Sequence, residues 1–494
     1  MTRRTFIIGG SVAGAAAATA AILSNRGPAP PVATLTDSPQ RFVAANGMLS
    51  VELTSSEQRV ELAGTRGRLY TFNGRVPGPV LELRAGDDVR LRLRNELSEP
   101  TNLHFHGIHL PPDGKADNVF LRIPAGEFFD YAFRVPPNHP AGLFWVHPHL
   151  HGLVAKQVSL GLAAPFIVRG ELDRIPEVAA AHEHLLILQD FELRSDGRPA
   201  DPGMSAMMLG REGSLITVSG TRTPQYVIEQ DGMLRLRLLN ASVSRFYRLA
   251  VDEHPMHVIA TDGGARATTQ TVDDLVLAPG ERRDVLIQGT RGSGSYRLMN
   301  LPYDRGSMGM MGGSGMMGRG GIMGGRSMMR GDRVAPATEL ATLVYQGRAT
   351  RRLNVPQTLI DVPALPAASI RRTFDLGDAM GMRLGGMGMR FVINDREFDH
   401  ERIDTRVRLD SVEEWEYVNR TTMDHPMHIH TNPVQLVGPD NTSERAWQDI
   451  VVVKAGSRVR FRVKFEEFAG KTVQHCHILD HEDRGMMATI LMEQ

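Results

Sequence analysis

The chain has 494 residues, 41% hydrophobic and 23% charged, with 56 basic side chains against 56 acidic ones. That length suggests about three domains, the composition suits a folded protein and excludes a disordered one, and zero formal charge offers no field to draw the chain to nucleic acid or acidic lipid. One cysteine, Cys476, excludes an intrachain disulfide framework, and the 18 His and 25 Met beside it point to imidazole and thioether chemistry, with copper the first metal to consider.

In chain order, the first element is an address. Arg3-Arg4 precede an Ala-rich apolar stretch from Phe6 to Leu23. That stretch is too short and too soft with Gly and Ala for a stable membrane span after export. Residues 1–35 therefore read as a twin-arginine export signal and leader, with an ordinary secretory signal as the alternative. The expected location is periplasmic or otherwise extracytoplasmic. Ala18-Thr19-Ala20 fits a cleavage site, and Pro28 to Pro31 could equally mark the mature start.

The remainder reads as short alternating runs between Gly, Pro, Asn and Asp turns, an all-β pattern. One unit is written three times. The strand ending in Asn95 recurs ending in Asn240 and, more weakly, in Asn419. Each is followed by a His-bearing strand, at His104-Phe105-His106, His254-Pro255-Met256-His257 and His425-Pro426-Met427-His428-Ile429-His430. A third shared element trails them, at Pro124-Ala125-Gly126-Glu127, Pro279-Gly280-Glu281-Arg282 and Ala455-Gly456-Ser457-Arg458. Repeats of this size are duplicated domains. The expected architecture is three consecutive Greek-key β-sandwiches, over residues 40–170, 171–348 and 349–494.

Four histidine clusters carry the chemistry: His104 with His106; His147 with His149; His425, His428 and His430; and His475-Cys476-His477 with His481 and Met486. Residues i and i+2 of a strand share a face, so paired imidazoles aim at one metal region. In His475-Cys476-His477 the same alternation sends the sulfur one way and both imidazoles the other. The thiolate side needs two imidazoles and a weak axial thioether, as in a blue-copper site. His425, His481 and Met486 can supply them, with Met487 as the alternative axial ligand.

These clusters resemble those of the multicopper oxidases, from about residue 40 to the end of the chain, with no ligand missing. The resemblance implies cupredoxin-like domains and four copper ions. His104 and His428 would bind the type 2 ion. His106, His147, His149, His430, His475 and His477 would hold the type 3 pair, and His425, Cys476, His481 and Met486 the type 1 ion. The trinuclear group would sit between the first and third domains. Dioxygen would be the electron acceptor. Asp117 and Glu482 are the expected proton relays, with Asp113 competing with Asp117 and a role orienting imidazoles open for Glu482. His254 and His257 read as a lost copper site. His151 reads as sharing the strand face of His149, near the cluster or at the surface, while His109, His139, His182, His184 and His400 read as surface or core.

Residues 306–330 hold ten Gly and eight Met, and Met380 to Met389 adds four Met in ten residues. Gly at this density forms no packed helix, and thioethers select Cu(I). The segment resembles the Met-rich inserts of periplasmic cuprous oxidases, which implies additional Cu(I) bound there. A linker between domains is the plainer reading. The favoured activity is oxidation of Cu(I) to Cu(II) in copper tolerance, coupled to reduction of dioxygen to water. A laccase acting on phenols or other small aromatics is the alternative. A copper store and a copper-free cell-division scaffold of the same fold are the non-enzymatic readings.

Overall fold

Alternating strands assemble into six sheets, and the three repeats occupy equivalent places in them. This computed structural model describes residues 40–306, 335–368, 370–383 and 386–494. The leader and the Met/Gly-rich segment beyond Gly306 lie outside the described residues. The repeat strands are Asp88–Asn95, Met233–Asn240 and Ser411–Asn419. Each runs parallel to an earlier strand, Met48–Leu62, His182–Phe191 or Ile370–Arg383. Each also runs antiparallel to a later one, Phe128–Arg134, Arg282–Gln288 or Arg458–Phe465. In the first copy Val89, Leu91 and Leu93 are buried while the arginines between them are not, the period of a sheet with one wet face. The middle copy is buried throughout, and its buried Arg235 and Arg237, on the face away from the sandwich core, pair with Asp284.

The asparagine that closes each repeat has one job. Its Nδ2 donates to loop carbonyls: Ile123 and Pro124 from Asn95, Arg245 and Leu277 from Asn240, Met423 and Val453 from Asn419. Its Oδ1 accepts the N–H two residues on, at Leu97, Ser242 and Thr421. One amide thus satisfies backbone groups that the loop cannot pair for itself.

Each pair of sheets closes on one apolar core. The first contains Leu91 and Phe133 facing Phe105, Val146 and Phe166. The second contains Leu186 and Leu236 facing Tyr226, Leu249 and Leu343. The third contains Phe374, Trp415 and Phe461 facing Met427, Cys476 and Met486. Three β-sandwiches therefore follow one another, as the repeats predict. Among the described residues no helix is long and apolar enough to cross a membrane.

Two short ladders bring the histidines together. His104–His106 pairs with Gly142–His147, which sets His104 opposite His147. His425–Ile429 pairs with Gly470–Cys476, which sets His428 opposite His475 and Met427 opposite Cys476. The expectation that His147, His149 and His151 share a strand face needs correction. The strand ends at His147, since Pro148 has no N–H to continue the ladder, and Asn102 accepts the His149 N–H at 2.7 Å. His151 is exposed, its ring against Phe398.

Candidate metal centre

Ten histidines of the four clusters are buried. Burial holds His425 down to about 3 and His149 and His475 down to about 4, and it drives the other seven well below the ordinary histidine value. All ten are neutral near pH 7. Their outer nitrogens are tied to acceptors: His104 Nδ1 donates to Asp117, His428 Nδ1 to the Asp449 carbonyl, His147 Nδ1 to the Pro148 carbonyl and His475 Nδ1 to the Cys476 carbonyl. His106 is tied through the other nitrogen, with Nε2 donating to Asp449 Oδ1 at 3.0 Å.

With one nitrogen donating, the other carries only a lone pair. On His104, His428, His106, His147 and His475 that bare nitrogen faces a nitrogen of a neighbouring ring. His104 Nε2 lies 3.2 Å from His428 Nε2, and His106 Nδ1 lies 3.4 Å from His147 Nε2. His475 Nε2 lies 3.1 Å from His149 Nε2 and 3.0 Å from His430 Nε2. His477 lies within the same group of rings, 5.0 Å from His106, and neither of its nitrogens has a partner. Converging bare nitrogens repel unless a cation sits among them, so the donor set fits metal. The eight imidazoles come from the first and third sandwiches, as expected.

A second donor set lies on the other side of Cys476. His425 Nδ1 is 3.4 Å and His481 Nδ1 is 3.8 Å from the sulfur. His425 Nε2 is held by Thr421 and His481 Nε2 donates to the Met208 carbonyl, so both Nδ1 atoms are left for a metal. Burial pushes the Cys476 thiol up. Without a cation it stays protonated, and metal binding must release that proton. Met486 shares the core of Cys476, whereas Met487 packs against Val119 and Val473. The side chain at 486 is thus the one on the sulfur's side.

The two expected acids occupy different surroundings. Asp117 is buried, accepts from His104 Nδ1 and from the Phe105 N–H, and burial raises it to about 8. Asp113 is exposed, so the loop brings only Asp117 to the cluster. Glu482 is fully buried, 3.1 Å from His475 Nδ1 and 3.6 Å from His149 Nε2, with neither oxygen hydrogen-bonded. Burial raises it to about 7.

The remaining histidines stand apart. His254 bonds to Tyr345 and His257 to Thr271, and neither joins a group of converging donors among the described residues. His139 is buried and accepts the His109 N–H. His182 and His400 are exposed, and the half-buried His184 packs on Tyr226.

Sequence reading missed Asp449, which the geometry groups with His106 and His428. It also missed Met208, whose carbonyl covers His481. Neither has a spacing signal, because each acts from a distant element.

Three models of one family match in series: multicopper oxidase at residues 54–173, at 184–310 and at 371–494. The chain belongs to the multicopper oxidase family. It is similar to the multicopper oxidase mco of Staphylococcus aureus, 26% identical over 457 residues, 90% of this chain and 89% of that one. It is also similar to the cell division protein FtsP of Escherichia coli strain K12, 28% identical over 408 residues, 79% of this chain and 78% of that one. Among solved structures it resembles a multicopper oxidase from Campylobacter jejuni described as a metallo-oxidase. There the TM-score is 0.76 at 27% identity, covering 92% of this chain and 96% of that one. Family membership implies copper binding, and the histidine groups of this multicopper oxidase fit a copper site.

Proposed function

We propose that this multicopper oxidase couples one-electron oxidation of Cu(I) to reduction of dioxygen to water. The observation that carries the oxidase reading is the set of facing imidazole nitrogens, His104 with His428, His106 with His147, and His475 with His149 and His430. Type 2 copper is assigned to His104 and His428. The type 3 pair is assigned to His106, His147, His149, His430, His475 and His477, and type 1 copper to His425, Cys476, His481 and Met486. Copper held there would supply one-electron chemistry, taking electrons singly from the reductant and passing four to dioxygen.

The protein's own residues do the rest. The backbone of Cys476 joins its sulfur directly to His475 and His477, a short covalent route between the donor sets. Asp117 fixes the tautomer of His104. Glu482, close to two ligands of the cluster and without a hydrogen bond, holds a proton at its carboxyl for transfer toward oxygen, a general-acid role. Reduction of dioxygen to two waters needs four protons with four electrons, so a buried acid there has a purpose.

Two observations favour Cu(I) over a phenol. In the ribbon formed by Ile370–Arg383 and Gly386–Ile393, Met380 pairs with Met389 and Met382 with Met387. The register thus gathers four methionine positions in one ribbon, and thioethers select Cu(I). The other observation is the buried edge of His481, closed by Met208. The three sandwiches correspond to proposed domains 40–170, 171–348 and 349–494. The paired arginines at the N-terminus support twin-arginine export to the periplasm.

The test is oxygen uptake with Cu(I) and with a phenol, in the full chain and in a variant lacking 306–330. Cuprous oxidation should fall sharply at limiting copper, while phenol oxidation holds or rises. Equal impairment of both substrates would make the segment a linker. Loss of phenol oxidation alone would make the enzyme a laccase, and no uptake with either would favour a non-enzymatic protein.

A further inference from the structure

The middle sandwich contributes no imidazole to either donor set, yet one of its side chains reaches the larger one. Arg282 is 1% exposed. Its Nη1 donates to Asp449 Oδ1 at 2.7 Å and its Nη2 to Asp449 Oδ2. Its remaining donors are spent on carbonyls: Nε on Leu143 of the first sandwich, Nη1 on Gly280, and Nη2 on Asp262. The guanidinium is therefore fixed by groups from all three sandwiches.

Asp449 passes that fixation on. Its carboxylate accepts from His106 Nε2, and its main-chain carbonyl accepts from His428 Nδ1. Each bond decides which nitrogen of the ring is bare. The guanidinium spans both oxygens of the Asp449 carboxyl, and Oδ1 still accepts from His106. The fit is close. Gly107, at φ +85°, lies where a Cβ would collide with both Arg282 Nη2 and Asp449 Oδ2. Gly280, at φ +82°, lies where a Cβ would stand 2.9 Å from the His477 ring.

We propose that Arg282, acting through Asp449, is a positioning residue of the trinuclear copper group, and that setting His106 and His428 is how the middle sandwich serves a site to which it gives no ligand. The inference rests on the assignment of His106 and His428 as copper ligands. Lys at 282 would keep the charge but lose the planar fork that spans two carboxylate oxygens and three carbonyls. Asn at 449 would keep the shape but lose the charge.

The experiment uses the full-length, copper-loaded protein with Arg282→Lys, Asp449→Asn and, as a control for loosening the middle sandwich, Arg235→Lys, which alters a buried ion pair with Asp284. The readouts are the blue absorption of type 1 copper, the paramagnetic resonance signal of type 2 copper, and copper retained against a chelator. Arg282→Lys and Asp449→Asn should keep the blue band, shift or weaken the type 2 signal, and lose type 2 copper about 10–100-fold more readily, the usual effect of removing a group that orients a ligand. Arg235→Lys should leave the type 2 signal unchanged. An unaltered type 2 signal and chelator profile in both test variants would overturn the proposal. So would loss of both signals in both variants, which would reduce Arg282 to a structural clasp. Wild-type protein with a blue band but no type 2 signal would instead overturn the copper assignment beneath it.

Discussion

Nε2 of His481 donates to the carbonyl of Met208 at 3.1 Å across 273 residues of sequence. Met208 lies on the short helix Met204–Leu209, and Leu209 packs against the core that contains Cys476. The helix closes the edge of His481 through which a bulky reductant would have to pass its electron. Replacing 204–209 with a Gly-Ser linker should raise oxidation of a bulky phenol several-fold and keep the blue absorption. Steady-state oxygen uptake measures the first and a visible spectrum the second. An unchanged phenol rate beside an intact blue band would mean that the edge is reached from elsewhere.

Cys476→Ser should abolish the blue absorption and nearly all oxygen uptake while leaving the fold intact. A hydroxyl is a poor copper ligand at neutral pH, and the change removes no volume of consequence from the core. The stability cost should be about 1–2 kcal/mol. Circular dichroism and thermal unfolding check the fold. Retained turnover with Cu(I) would refute the role given to the sulfur.

Asp117 and Glu482 should separate in their effects. Asp117 holds His104 and the Phe105 N–H, whereas the Glu482 carboxyl makes no hydrogen bond. Asp117→Asn should disturb the type 2 resonance signal and weaken copper retention about 10-fold or more. Glu482→Gln should leave both copper signals in place and lower turnover about 100-fold, the scale of a lost proton donor. Identical effects of the two substitutions would show that both acids merely orient imidazoles.

His139 provides a pH dependence away from the copper ligands. It is buried, accepts the His109 N–H, packs on Phe144, and burial holds it down to about 4. The unfolded chain takes a proton at this residue as pH falls through about 6.5, while the folded chain does not until about 4. The stability it contributes is therefore fully present above pH 6.5 and is lost progressively toward pH 4. His139→Gln should flatten the acid limb of a stability-against-pH curve by about 1–3 kcal/mol between pH 7 and pH 4. Thermal unfolding of copper-free protein at these pH values checks it, and an unchanged acid limb would contradict it.

The converging histidines were legible because they come in short clusters, and the repeats were legible because each strand ends in the same asparagine clamp. What could not be read was action at a distance. Asp117 and Asp113 look alike in sequence, and only the path of their loop buries one against His104. Arg282 opens a strand that recurs in each repeat, but Phe128 and Arg458, which open the other two copies, are exposed while it is buried. That contrast is a tertiary fact. The shared-face argument failed at His149 because a proline ended the strand one residue early.

His104 and His428 meet across 324 residues of a 494-residue chain. Contacts so remote in sequence form late, since a long loop must close before they are rewarded. A nascent chain holding only the first sandwich has His106 facing His147, but His104 lacks His428 and His149 lacks His475. The proposed trinuclear group would thus report completed folding: copper bound there would need a chain whose last strands have already joined its first.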